Sequence, residues 1–325
     1  MSDESAKREI RFEEWLSLLF LPIAFALCNE VEKPIDFRPD SYYRFFLPAI
    51  ASFVLLAPLI LYIRKKMGHE SSSLSLLGFL RDWWTLPLCF VLYSNMKVLV
   101  PLYSKFVYDQ TFLYWETRIF EFFTSPGQYP TKYLLEVSSP SFTYLMDQSY
   151  ISFFYLYPIS FAFLYFGGFR KEFRRLLCGI ILIYYIGALI YLALPVVGPI
   201  YYPPCSEVRE LVAQRSSEIG GATVPKLQAY LLINYKAITD SPRDYITRPF
   251  VGIAAFPSLH VAHTLLFLLS AWKTSKWLFA AYCPLFITLS LSTVFWGWHW
   301  VGDVIAGALI TLIVFPLLGK YLEGD

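Results

Sequence analysis

Long apolar runs recur along this chain, near residues 14–29, 43–63, 83–103, 148–168, 175–197, 255–272, 276–297 and 299–319. A helix of about 20 apolar residues spans the hydrocarbon core of a bilayer. Lipid offers no water to satisfy peptide groups, so such runs fold as helices that satisfy themselves. The runs predict an all-α, polytopic transmembrane helical bundle of about eight spans. Composition agrees: 16% of the 325 residues are charged and 56% are hydrophobic, against about 25% charged in soluble domains. One water-soluble core cannot hide so much apolar side chain. Ala24-Phe25-Ala26 imitates a signal-cleavage site, but Asp3, Glu4, Glu9, Glu13 and Glu14 are mixed with Lys7, Arg8 and Arg11 before it. That is a poor start for a signal peptide, so 14–29 is read as a membrane segment.

The loops orient the spans. Arg64-Lys65-Lys66 with Arg81, Arg170-Lys171 with Arg174-Arg175, Lys273 with Lys276, and Lys320 all fall on one side when eight spans alternate. The positive-inside rule makes that side cytoplasmic, with both termini there. The other side receives 30–42, 106–147, 198–254 and the tight turn at His299. The 106–147 stretch, with Trp115, Phe120, Phe122 and Phe123, is read either as holding an interfacial amphipathic helix or as an apolar tether. No repeat of 20 to 50 residues and no Gly/Ser linker divides the chain. Residues 1–105 read as an N-terminal transmembrane addition and 106–325 as the catalytic membrane domain. The basic residues form no concentrated stripe, so nucleic acid is not an expected partner. Cys28, Cys89, Cys178, Cys205 and Cys283 form no CxxC pair and suggest neither a disulfide frame nor a zinc–cysteine site.

Three of the four histidines fall in two motifs at helix ends on the same side. The first is AAFPSLHVAH, residues 254–263. Pro257 suits a first helical turn, and Ser258 with the free N–H groups beside it can receive an anion. His260 follows within a turn. The second is WGWHWVGDV, residues 296–304. His299 and Asp303 are four apart and share a helix face. A carboxylate on one imidazole nitrogen fixes the tautomer and frees the other nitrogen as nucleophile. The pair of motifs suits two-step phosphoryl transfer: His299 attacks phosphorus, and His260 protonates the leaving oxygen and then deprotonates the incoming hydroxyl. A zinc site built from His260, His263, His299 and Asp303 is the rival chemistry. A core or helix-contact role for His263 is the simpler reading, and neither metal nor cofactor is expected. A non-enzymatic transporter or lipid-binding protein is the rival class; its histidines would be dispensable.

PSLH followed by HxxxD on successive apolar segments resembles the type 2 phosphatidic acid phosphatase superfamily, whose signatures are KxxxxxxRP, PSGH and SRxxxxxHxxxD. The resemblance covers roughly 106–319 and implies a six-helix core. It implies that His260 is the general acid, His299 the nucleophile, Asp303 its orienting carboxylate and Ser258 a phosphate-binding serine. It also implies a lipid-linked phosphate substrate in the bilayer. Two positions depart from it. Thr293 stands where the third signature has Arg, and no KxxxxxxRP run precedes the second: Lys236 and Arg243 have that spacing, but Asp244 follows, and Arg248-Pro249 lacks the Lys. These departures, with the exit LPVVGPIYYPP at 194–204, are similar to the branch containing inositol phosphorylceramide synthase. That branch implies transfer to a polyol such as inositol or to a lipid acceptor, with plain lipid phosphate hydrolysis as the alternative. Lys97, inside the third span, and Arg243 and Arg248, ahead of the PSLH helix, are the candidates for the missing phosphate cations. Asp147 and Tyr150 open the fourth span on the same side as candidate acceptor contacts, although helix capping also explains Asp147.

Overall fold

The computed structural model describes residues 10–31, 35, 43–66, 76–103, 107–240 and 253–322. Arg243 and Arg248 lie outside them. The described chain is all-helical: α1 (Phe12–Glu30), α2 (Tyr43–Lys66), α3 (Leu76–Trp83), α4 (Thr85–Tyr103), α5 (Asp109–Phe120), α6 (Pro130–Val137), α7 (Pro140–Phe166), α8 (Arg170–Ala193), α9 (Ser206–Glu218), α10 (Thr223–Asp240), α11 (Leu259–Thr274), α12 (Lys276–Phe295) and α13 (Val301–Tyr321). Among the described residues six helical segments are long and apolar enough to cross a membrane: Phe12–Glu30, Leu77–Tyr103, Pro140–Phe166, Arg170–Ala193, Lys276–Phe295 and Val301–Tyr321. They fit an integral membrane protein. The other two expected spans also fall on helices. One is the 16-residue α11; the other is α2, whose described apolar stretch is Val54–Ile63.

Helix α8 is the axis of the bundle. It packs against α1, α4, α7, α11 and α13, and α11 in turn packs against α12 and α13. Apolar attraction between helices is weak when lipid is the alternative neighbour, so close packing and small residues hold such a bundle. Gly307 of α13 is the tightest example at the site. A Cβ there would stand 2.2 Å from the Ser258 carbonyl oxygen, so glycine lets the start of α11 touch α13. At the opposite end, ion pairs tie α1, α3 and α8 together. Asp82 pairs with Arg11 at 2.7 Å and with Arg170 at 3.0 Å, and Glu14 with Arg81 at 3.3 Å.

The stretch read as either an amphipathic helix or an apolar tether carries helices, and so does the longer stretch that follows α8. The 106–147 stretch holds α5 and α6, and 198–254 holds α9 and α10. Together with the turn after α12 they bury a second apolar cluster around Leu135, Met146, Val208, Trp296 and Trp300. This outer layer covers the histidine end of the bundle. The fourth span starts earlier than its hydrophobicity indicated. Ser139 caps it by accepting from Phe142 N, with Pro140 in its first turn. Asp147 is therefore mid-helix and caps nothing of its own. Its Oδ1 instead accepts from Val224 N at 2.8 Å and pins the start of α10.

Candidate active site

The turn between α12 and α13 carries His299, and backbone bonds set its shape. Trp298 N and His299 N both donate to the Thr293 carbonyl, at 3.0 and 3.2 Å. Neighbouring helices grip the turn: the Thr131 hydroxyl donates to Val294 O at 2.9 Å and Gln228 Nε2 to Trp296 O at 2.6 Å. The 194–204 exit lies directly on it, with Ile200 N donating to Gly297 O at 3.0 Å. Gly198 has φ +86°, and a Cβ there would come within 2.3 Å of the Trp298 carbonyl oxygen. Only glycine accepts both that backbone conformation and that approach.

The two motifs meet. His299 Nδ1 lies 3.3 Å from Asp303 Oδ2, which also accepts from Trp300 N at 2.9 Å. His299 Nε2 lies 3.3 Å from His260 Nδ1, and His260 Nε2 lies 3.0 Å from the Tyr150 hydroxyl. Ser258 joins the motifs through the backbone, donating its N–H to Asp303 O at 3.0 Å. Its hydroxyl oxygen caps α11 by accepting from Val261 N. His299 is 3% exposed and Asp303 and Ser258 are fully buried. Burial, then the Lys97 charge, lower the His299 pKa to about 3, with the Ala255 carbonyl opposing. The imidazole is therefore neutral at ordinary pH, the form with a free lone pair. His263 sits a turn deeper on α11 and its Nδ1 faces the Tyr157 hydroxyl.

A cavity of about 410 Å³ opens onto these rings, lined by His260, His263, His299, Tyr150, Trp298 and Lys97 among others. Lys97 reaches it from α4, together with Phe90 and Ser94 of the same helix face. Among the described residues no carboxylate is paired with it. Thr293 turns away: its hydroxyl donates to Ser290 O at 2.8 Å within α12, and the residue is fully buried.

Two carboxylates that the sequence reading passed over hold the site from α5. Asp109, fully buried, accepts from Val197 N at 2.9 Å, Gly198 N at 2.8 Å and Trp300 Nε1 at 2.8 Å. Glu116 accepts from Gly302 N at 3.1 Å. They are seven residues apart, two helical turns, and so share one face. Trp115 and Ile119 lie exposed on the same helix, with Phe122 and Phe123 just beyond it. That 3.6-residue pattern, acidic inside and aromatic outside, was the available signal.

Burial lifts the Glu116 pKa from 4.5 to about 8; the Gly302 N–H opposes this and the Asp303 charge adds to it. The folded state therefore keeps a proton that the unfolded chain releases, and stability falls as pH rises from about 4.5 to about 8. Glu116→Gln keeps an acceptor for Gly302 and cannot ionise. Its melting temperature in detergent is expected to gain on wild type across that window and to match it below. A gap independent of pH would exclude the Glu116 carboxyl as the cause.

Fold and site together define a helical membrane protein with paired imidazoles and a carboxylate beside a cavity in the helical bundle. The family model described as the PAP2 superfamily matches residues 132–317, more than half of the chain. The chain belongs to that superfamily, which is the type 2 phosphatidic acid phosphatase superfamily. Members are phosphatases and phosphotransferases, and membership supports an enzyme acting on lipid phosphate. No curated protein and no solved structure matches it. His260, His299 and Asp303 lie inside the matched region; Lys97, Asp109 and Glu116 lie outside it.

Proposed function

We propose that this protein moves phosphate from a lipid-linked donor through a phosphohistidine on His299. The observation that carries the reading is the run Asp303–His299–His260, whose two imidazoles line the cavity. With Asp303 ionised, His299 Nδ1 keeps its proton and Nε2 carries the lone pair that attacks phosphorus. Asp303 also balances the cation that forms. His260 gives a proton to the leaving oxygen and takes one from the incoming hydroxyl. Ser258 holds the first turn of the His260 helix.

Lys97 is the phosphate cation in this reading. It is supported by its place in the cavity and by Thr293, which stands where the superfamily signature has Arg and turns its hydroxyl back to its own helix. The N-terminal part of the chain then completes the site rather than merely anchoring it. Arg243 and Arg248 are further candidates from their place in the sequence. The departures at Thr293 and before α11 favour the inositol phosphorylceramide synthase-like branch, with transfer to a polyol; hydrolysis is the alternative. The basic loops favour a site on the non-cytoplasmic face, with both termini cytoplasmic.

The test is to quench a reaction of purified protein with radiolabelled lipid phosphate in alkali and map the label. Acid-labile, alkali-stable phosphate on the peptide containing His299 is expected. Turnover with the label on another side chain would overturn the reading. Adding inositol to the same reaction separates the acceptors: a phosphoinositol product supports transfer, and free phosphate alone supports hydrolysis.

A further inference from the structure

We propose that Tyr150 is the positioning residue for His260, keeping Nδ1 of that imidazole turned to the reacting phosphate through both halves of the cycle. The inference rests on the phosphohistidine reading above. Tyr150 is 2% exposed, and its hydroxyl lies 3.0 Å from His260 Nε2, the nitrogen facing away from His299. The other ring nitrogen lies 3.3 Å from His299 Nε2. The Tyr150 ring stacks on Trp298, with centroids 5.4 Å apart and planes 7° apart. Phe153 flanks the His260 ring at 4.6 Å. The acid–base imidazole is thus fixed at one nitrogen and fenced by aromatic rings, one of which rests on the residue preceding the nucleophile.

The two histidines have different partners, and the chemistry explains why. His299 is cationic while phosphorylated, and a carboxylate suits a group that needs one charge stabilised. His260 must lose a proton in one half of the cycle and regain it in the other. A carboxylate would hold it as the cation. A phenol hydroxyl both donates and accepts, so it serves the neutral and the cationic ring without favouring either strongly.

In the first half, the bond from phosphorus to the leaving oxygen breaks and the bond to His299 Nε2 forms. The proton on His260 Nδ1 passes to the leaving oxygen, and Nε2–H stays donated to the Tyr150 oxygen. In the second half, the incoming hydroxyl oxygen bonds to phosphorus as the bond to nitrogen breaks, and its proton returns to Nδ1. When the resting ring is neutral with its single proton on Nδ1, the Tyr150 O–H donates to Nε2; uptake of a proton from solvent at Nε2 reverses that bond and gives the doubly protonated ring that begins the first half.

Tyr150→Phe in the full-length protein removes one oxygen and keeps the stack on Trp298. Its kcat is expected to fall by about 10- to 100-fold, a part of what acid–base catalysis supplies, with KM within about two-fold. Rapid quench is expected to show slower formation and slower breakdown of the phosphohistidine, with an unchanged melting temperature. A kcat within about two-fold of wild type, or a loss confined to KM, would overturn the role. An unchanged kcat alongside a normal phosphohistidine removes only the Tyr150 inference. Absence of His299-bound phosphate in turning-over wild type removes the parent reading with it.

Discussion

His299→Ala is expected to lower turnover of lipid phosphate by roughly 10⁴-fold or more, the scale seen when a covalent nucleophile is removed from an enzyme. The substitution takes away the protein atom that bonds to phosphorus in the proposed path. Its neighbours stay held: Asp303 Oδ2 keeps its bond from Trp300 N, and the turn keeps its bonds to the Thr293 carbonyl. The lost imidazole therefore costs activity far more than stability. A melting temperature within a few degrees of wild type distinguishes lost chemistry from lost fold. Turnover within about 10-fold of wild type in a folded variant would sink His299 as the nucleophile.

The second large effect is expected from Asp109, which the catalytic scheme never uses. Asp109→Ala strips the acceptor from three buried donors: Val197 N, Gly198 N and Trp300 Nε1. An orphaned buried donor costs about 1–3 kcal/mol, and solvent or relaxation recovers part of it. A loss of about 3 kcal/mol or more is expected, read as a lower melting temperature in detergent. The same bonds set the 194–204 exit against the His299 turn, so kcat is expected to fall as well. Asp109→Asn should do less harm. Its Oδ1 can keep Gly198 N and Trp300 Nε1, while its amide nitrogen meets Val197 N as donor against donor. Equal stability of the alanine and wild-type proteins would remove the latch from this account.

The sequence carried most of the fold because lipid simplifies the rule. A backbone without water must be helical wherever it is surrounded by hydrocarbon, so apolar length alone marked the spans. It misjudged α7, whose apolar run was placed from about residue 148 while the cap and proline that start the helix stand at Ser139 and Pro140. It also assigned no helices to 198–254 and left 106–147 open between an amphipathic helix and an apolar tether. Helices α5, α9 and α10 carry mixed polar sequence, and their apolar faces find partners only in a cluster built from distant segments.

The site divides the same way. His299 and Asp303 were legible because their spacing is local: residues four apart on a helix share a face whatever the rest of the chain does; His260 was legible within its own short motif, PSLH. Their residue types suit proton and phosphoryl transfer, the chemistry proposed above. What surrounds them was decided by contacts between residues far apart in sequence. Tyr150 meets His260 across 110 positions and Asp109 meets Trp300 across 191. Lys97 enters the cavity from a helix outside the matched region. No periodicity encodes such meetings, since they depend on how α4, α5 and α7 pack about α8 and on the close approach that Gly307 permits. The sequence by itself determined a helical membrane bundle with two histidine motifs at one end. Only the tertiary structure decided which hydroxyl, which carboxylates and which cation those histidines face, because each contact is fixed by helix packing rather than by position along the chain.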